Sequence, residues 1–294
     1  MKKLFFILMM VCLIPAFGFA DEVDDGLPSD TPVQVKESAR QVISLGVENQ
    51  GVIKMTKTML ENRYTERQML AAHEVLMKAR RQNLDAEPIM TRFNEGAAKK
   101  EKAAAGINAM EKVRSNYETA SALAGKTTQD REEVKTMTRE MAECMNAGVT
   151  KKNMEQISNM LQEKTKAMNP GEGQAFKNAA MSTVKEMAKS GADSGSVTKV
   201  VKNAFEKGYT AQDMEKLKNS FMAQVKNASS ATALVNSYAN AVKNGAKADD
   251  VDKYAQQKGT GSGFGSGDFG SGSGMGGSGL GGSGMGGGGG RGSR

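Results

Sequence analysis

Two methionine-rich stretches carry the side chains best suited to ligating a soft metal ion. Each places thioethers, together with a histidine or a cysteine, at steps of three or four residues, so that on a helix each set would share one face. The first set is Met69, His73 and Met77, and the second is Met137, Met141, Cys144 and Met145. Thioether, thiolate and imidazole ligands suit Cu(I), so each of the two faces is a candidate metal site.

The same spacing also describes an ordinary buried helix stripe. Methionine is a flexible filler of hydrophobic cores. Val134 lies on the same helix face as the second set, and its purely apolar side chain is typical of a buried stripe. We therefore expect both faces to be packing seams without a cofactor, and keep a Cu(I)-binding or metal-buffering protein as the alternative.

Enzyme chemistry finds little support in the residue types. His73 is the only histidine of the chain, so a histidine-based triad or a multi-histidine zinc site would have to use it, and no nucleophile motif surrounds it. The acids of residues 131–133 and 138–143 could serve a cell-wall-acting enzyme that uses paired carboxylates. They lie opposite the apolar stripe of their predicted helix, so we expect them to be solvated. We predict a non-enzymatic protein with no catalytic residues.

Charge and aromatic content narrow the class of partner. Residues 31–258 hold 36 basic against 27 acidic residues, which would attract a polyanionic surface component or an acidic envelope protein. Aromatic residues make up 5% of the chain and tryptophan is absent, although sites for single-stranded nucleic acid usually depend on aromatic stacking. We expect an envelope partner and no specific nucleic acid.

The first twenty residues have the pattern of a signal peptide. Lys2 and Lys3 precede an apolar run over residues 4–14, and Gly18 and Ala20 stand where a signal peptidase requires small residues. The mature chain would begin at Asp21 and be exported to the periplasm or the extracellular space. No later stretch reaches the roughly 20 apolar residues of a spanning helix, so we expect no transmembrane span.

A short motif recurs along the chain and predicts helix boundaries. In "KGYTAQDM" (207–214), Thr210 would cap a new helix, Gly208 would end the previous one in the left-handed conformation, and Tyr209 would pack on Met214. The same pattern recurs with Tyr64, Thr65 and Met69, with Val149, Thr150 and Met154, and more weakly with Leu84, Asp85 and Ile89 and with Ala192, Asp193 and Val197. We call these stretches joints.

The segments between joints follow the helical period, and no strand pattern appears. The chain is predicted to be all-α, with antiparallel helical hairpins stacked as a bundle or a short α-solenoid. Its predicted parts are a cleaved signal peptide (1–20), an acidic flexible segment (21–32), an N-terminal helical part (33–124) that ends in one long helix over residues 94–124, a helical-hairpin repeat part (125–258) and a disordered Gly/Ser-rich tail (259–294).

Cys144 is the single cysteine after removal of the signal peptide. It would either bridge two copies of the chain or fill a small buried space, so self-association stays open. Together these features predict an exported binding or scaffold protein of the cell envelope.

Overall fold

The computed structural model describes residues 18–253, with side chains from Glu22 onward. Most of the predicted signal peptide and the whole predicted Gly/Ser-rich tail lie outside the described residues.

Within residues 18–253 the chain forms twelve α-helices and no strand, which confirms the all-α prediction. The helices are α1 (Gly18–Gly26), α2 (Val33–Ser44), α3 (Asn49–Glu61), α4 (Glu66–Arg81), α5 (Glu87–Ala98), α6 (Ala103–Thr127), α7 (Arg131–Asn146), α8 (Lys151–Thr165), α9 (Pro170–Lys189), α10 (Ser194–Glu206), α11 (Ala211–Val225) and α12 (Ala231–Lys243). None of these helices combines the length and the apolar character needed to cross a membrane.

The helices stack in two layers. The even-numbered helices from α2 to α12 form one layer, in which each packs on the helix two further along the chain. In the other layer, α3 packs on α5, and α7, α9 and α11 pack in series. This second layer is interrupted between α5 and α7, because both of these helices pack on α6 instead. The fold is therefore a short α-solenoid with one gap in its second layer.

The predicted joints are confirmed where they carry a threonine or an aspartate cap. Thr210 accepts a hydrogen bond from the backbone N–H of Asp213 (3.2 Å) and completes a capping box with it. Thr65 forms a capping box with Gln68 at the start of α4, whereas Thr150 and Asp193 each accept a bond from the N–H three residues later, at the starts of α8 and α10. Asp85 is an exception, because α5 begins one residue later, after Ala86, and the Asp85 carboxylate accepts from the backbone N–H of Glu87 (3.1 Å) instead.

The helices that precede these joints end with a common backbone hydrogen-bonding motif. Gly148 and Gly208 have positive φ angles, and the next residue at each joint donates its N–H to a carbonyl five residues earlier. These bonds are Val149 to Cys144 (3.0 Å) and Tyr209 to Ala204 (3.0 Å). This is the pattern of a Schellman motif, in which the left-handed residue lets two free carbonyls be satisfied.

The prediction of one long helix over residues 94–124 is wrong. α5 ends at Ala98 and α6 begins at Ala103, because Lys100 adopts a left-handed φ of 56° and the Glu101 N–H bonds to the Gly96 carbonyl (2.9 Å). An ion pair between Arg92 and Glu101 (3.0 Å) holds the break. Lys100 thus provides the left-handed residue that ends a helix, a role that glycine has after other helices.

The flexible segment expected over residues 21–32 also differs from the structure. Val23 and Leu27 are buried against the helical stack, and the Asp24 carboxylate pairs with Arg40 (2.6 Å) and Lys36 (3.5 Å) of α2. Two apolar anchors and a charge pair therefore fix a segment whose acidic composition alone predicts disorder.

Candidate functional site

A cleft of about 790 Å³ lies at the gap between α5 and α7, with α6 as its floor. Pockets of roughly 300–1,000 Å³ are typical for ligand sites. The lining residues come from the end of α4 and the following joint, from α6 and from the first half of α7: Arg80, Asn83, Leu84, Asp85, Tyr117, Ser121, Arg131, Glu132, Val134, Lys135, Thr136, Thr138 and Arg139.

One wall of the cleft is a row of cations on α7. Arg131, Lys135 and Arg139 stand four residues apart, so they share a helix face and follow one another at about 6 Å along the axis. All three are exposed. The ion pairs that α7 forms with other described residues use none of these three side chains.

Three of the four acids of α7 face in another direction. Glu133 pairs with Lys177 of α9 (2.7 Å), and Lys185 of α9 pairs with Glu140 (2.8 Å) and Glu143 (3.1 Å). These carboxylates were expected to be solvated, but the structure places them, partly buried, in an ionic seam with α9. The lysines of α9 therefore neutralise three of the four acids of α7, and the fourth, Glu132, lies at the cleft with the cations.

The opposite wall carries an arginine held in a fixed position. The Arg80 guanidinium donates through Nε to the Leu45 carbonyl (3.1 Å) and through Nη1 to the Leu84 carbonyl (3.2 Å). Gly46 makes room for it, because a Cβ there would lie 3.2 Å from Nη2, and its φ of 84° favours glycine. Nη2 donates to none of the described residues, so Arg80 offers pre-oriented donors to a ligand.

The floor of the cleft supplies a neutral hydroxyl. Tyr117 is 4% exposed, yet its hydroxyl makes no hydrogen bond within residues 22–253. Burial raises the pKa of Tyr117 to about 12, with smaller contributions from the carboxylates of Glu143 and Asp85. The phenol therefore stays protonated at neutral pH and can donate to an anion.

The cleft as a whole is suited to binding anions. Four cationic side chains line it against the two acids Asp85 and Glu132. Guanidinium, ammonium and hydroxyl donors of this kind hold carboxylate or phosphate oxygens.

The first predicted metal face lies elsewhere, in the core around α4. Met69, His73 and Met77 are all buried. His73 Nε2 lies 3.0 Å from Thr56 Oγ1, and Thr56 donates its own proton to the Val52 carbonyl (2.8 Å), so Nε2 must be the protonated nitrogen. His73 Nδ1 then carries a buried lone pair with no partner among the described residues. Burial also lowers the pKa of His73 to about 4.

The second predicted metal face is buried between α7 and its neighbours. Met137, Met141, Cys144 and Met145 all belong to the core. Cys144 Sγ lies 3.6 Å from the Met181 carbonyl, and burial raises the pKa of its thiol, which disfavours the thiolate that binds metals.

The two predicted faces do not meet in one site. α4 packs chiefly on α2 and α6, whereas α7 packs chiefly on α6 and α9. Residues 22–253 also contain no group of three or more His, Cys, Asp or Glu side chains arranged to hold a metal ion. Metal binding through the methionines stays a prediction for each face separately.

Sequence reasoning missed the residues of the cleft. The spacing of Arg131, Lys135 and Arg139 was a visible signal, because three cations at four-residue steps must share one helix face. Arg80 gave no local signal, since its position depends on carbonyls from two different joints.

No protein-family model matches this sequence, and no curated protein or solved structure matches it either.

Proposed function

We propose that this chain is an exported, non-enzymatic helical binding protein of the cell envelope that holds an anionic group of its partner in the cleft between α5 and α7. One observation carries the proposal: three cations of α7 and the clamped Arg80 line a ligand-sized cleft, and none of the four forms an ion pair within residues 22–253.

Two further features support an anionic partner. Three acids of α7 pair with Lys177 and Lys185 of α9, so the four cations of the cleft face only the two acids Asp85 and Glu132 and its net charge stays positive. The excess of bases over residues 31–258 would also steer a polyanion toward the protein from a distance.

Export rests on the pattern of residues 1–20. Cleavage after Ala20 would leave the buried anchors Val23 and Leu27 in the mature chain. Expression with residues 1–20, followed by fractionation and N-terminal sequencing, tests this part of the proposal. Recovery of uncleaved chain in the cytoplasm would contradict it.

Binding is tested with two anionic probes, decaglutamate and a short polyphosphate, by calorimetric titration. We expect the Arg131→Gln/Arg139→Gln variant to bind either probe about tenfold more weakly, because two cations of the cleft are lost. The matched control is Lys151→Gln/Lys152→Gln, which removes two exposed cations at the start of α8. Equal losses in the two variants, or no binding by the unaltered protein, would contradict the proposal.

A Cu(I)-binding or metal-buffering protein is the second candidate, and the unpartnered Nδ1 of His73 is what favours it. Neutral imidazoles that bind metals usually donate their other N–H to a second group, as His73 does to Thr56. An anaerobic Cu(I) titration against a chelator separates the two functions. Stoichiometric Cu(I) that is lost in Met69→Leu/Met77→Leu would favour the metal protein, because leucine keeps the apolar volume but lacks the thioether.

A further inference from the structure

A second cleft adjoins the cationic one. It has a volume of about 430 Å³ and lies at the joints that follow α2 and α4. It shares Arg80 and Asp85 with the first cleft, and its other lining residues are Gly46, Val47, Glu48, Ala86, Glu87 and Met90. The two clefts therefore adjoin at Arg80 and Asp85, and we refer to them together as the groove.

The second cleft has the opposite charge. Glu48, Asp85 and Glu87 line it against Arg80 alone. None of the three carboxylates forms an ion pair with a described residue. Two of them are held by backbone instead: Glu48 accepts from the N–H groups of Gln50 (2.9 Å) and Gly51, and Asp85 accepts from that of Glu87 (3.1 Å). Their positions are fixed while their charge is left uncompensated.

We propose that this bipolar groove binds a zwitterionic peptide, with an ammonium group in the acidic cleft and carboxylates along the cations of α7. The inference rests on the proposed function and names the class of ligand. It follows from the juxtaposition of two clefts of opposite sign that share Arg80 and Asp85. The hydroxyl of Tyr117 makes no hydrogen bond with a described residue and lines the cationic cleft, so it adds a further donor for a ligand carboxylate.

Spacing favours a peptide over a uniform polyanion. The cations of α7 recur at about 6 Å, which is close to the roughly 6.6 Å between alternate side chains of an extended peptide. A uniform polyanion that follows the groove would also meet the carboxylates of the acidic cleft. A peptide with an ammonium group at one end and carboxylates at the other complements both the acidic cleft and the cationic cleft.

The test uses the hexapeptide Lys-Gly-Gly-Asp-Gly-Asp with a free amino terminus. Its two aspartates are spaced for the α7 row, and its lysine lies about 10 Å from the first of them when extended. The comparison peptide is N-acetylated and has glutamine in place of lysine, so it keeps the acids and loses both ammonium groups. We expect the free peptide to bind the unaltered protein at least about fivefold more tightly in calorimetric titration.

The acidic cleft is tested by Glu48→Gln/Glu87→Gln. Glutamine at position 48 keeps an oxygen for one of the two N–H groups that Glu48 caps, and Glu87→Gln alone, at an exposed position outside that cap, serves as a second variant. Both should reduce the preference for the free peptide, and the double variant should abolish it. The matched control is Glu61→Gln/Glu155→Gln, which removes two exposed carboxylates outside the groove and should keep the preference.

The outcomes separate this inference from the proposed function. If both peptides bind equally and both are lost in Arg131→Gln/Arg139→Gln, the cleft binds anions but the zwitterion inference is wrong. Tighter binding of decaglutamate than of the free hexapeptide also overturns it in favour of a polyanion. If no anionic probe binds, the proposed function and this inference fail together.

Discussion

α7 presents two polar faces, and only one of them pairs its charged side chains with described residues of opposite charge. On the face toward α9, Glu133, Glu140 and Glu143 each meet a lysine. On the face toward the cleft, Arg131 and Arg139 meet no carboxylate of the described chain. The first face joins two helices of the stack, and the second leaves charge available to a molecule from outside.

Burial separates the two faces energetically. The side chains of Lys177 and Glu133 are 10% and 19% exposed, so loss of one partner leaves a partly buried charge alone. The cations at the cleft remain in contact with water, and exposed charges contribute little to stability. The predictions below test this contrast, from the largest expected effect on the free energy of unfolding to the smallest.

Lys177→Met should have the largest effect, because it leaves the Glu133 carboxylate without its ammonium partner. Removal of one member of a buried ion pair costs about 3–5 kcal/mol. The measurement is the free energy of unfolding in urea at pH 7.

The double variant Lys177→Met/Glu133→Gln is its control. Because it removes both charges, it should recover most of the loss, and the cycle gives the coupling energy of the pair. Equal stability of the single variant and the unaltered protein would show that the seam does not differ from the cleft.

His73 should give the next largest effect, through pH. Its folded pKa of about 4 lies below the ordinary histidine value of 6.5, so the unfolded chain takes up the proton first as pH falls. Stability from this group is fully present above pH 6.5 and decreases by about 3 kcal/mol between pH 6.5 and 4. Urea unfolding at several pH values measures the slope.

His73→Leu removes the titrating group, and Thr56 keeps its bond to the Val52 carbonyl. Between pH 6.5 and 4, the stability of the variant should therefore decrease by about 3 kcal/mol less than that of the unaltered protein. Parallel curves for the two proteins would mean that His73 is not held neutral by burial.

Thr210→Ala tests an uncharged polar contact. The variant loses the capping bond to the Asp213 N–H and should be less stable by about 1 kcal/mol. Thr91→Ala is the matched control, because Thr91 lies exposed within α5 and caps no helix. An equal change in the two variants would defeat the assignment of the joint.

Arg131→Gln/Arg139→Gln should have the smallest effect on stability, within about 0.5 kcal/mol, because both side chains are exposed and form no ion pair with a described residue. The same variant is expected to weaken anion binding about tenfold. A stable protein with lost binding would sharpen the contrast between the faces. A loss of several kcal/mol would instead make these cations part of the scaffold.

The joints could be predicted because their signals are local. The threonine caps at positions 65, 150 and 210 act on N–H groups within the next three residues, so a short window of sequence contains the whole interaction. The left-handed Lys100 escaped prediction because lysine carries no preference for that conformation, and only the fold requires it there.

The polar seams could not be predicted in the same way. Glu133 meets Lys177 across 44 positions of sequence, and Arg80 is fixed by the carbonyls of Leu45 and Leu84 from separate joints. Such partners depend on which helices become neighbours, and the helical period does not specify this. The spacing of the cations on α7 is enough to predict that they share one helix face. It does not predict which residues lie opposite that face.

The packing of helices on neighbours one or two places along the chain also governs how the protein folds. Contacts of this kind have short sequence separation, so little chain entropy is lost before the first of them form. Folding can begin at more than one hairpin and spread to its neighbours, and terminal helices should open first. Amide hydrogen exchange would then show protection that rises from the ends of the stack toward α6 and α7, the two helices that meet at the cleft.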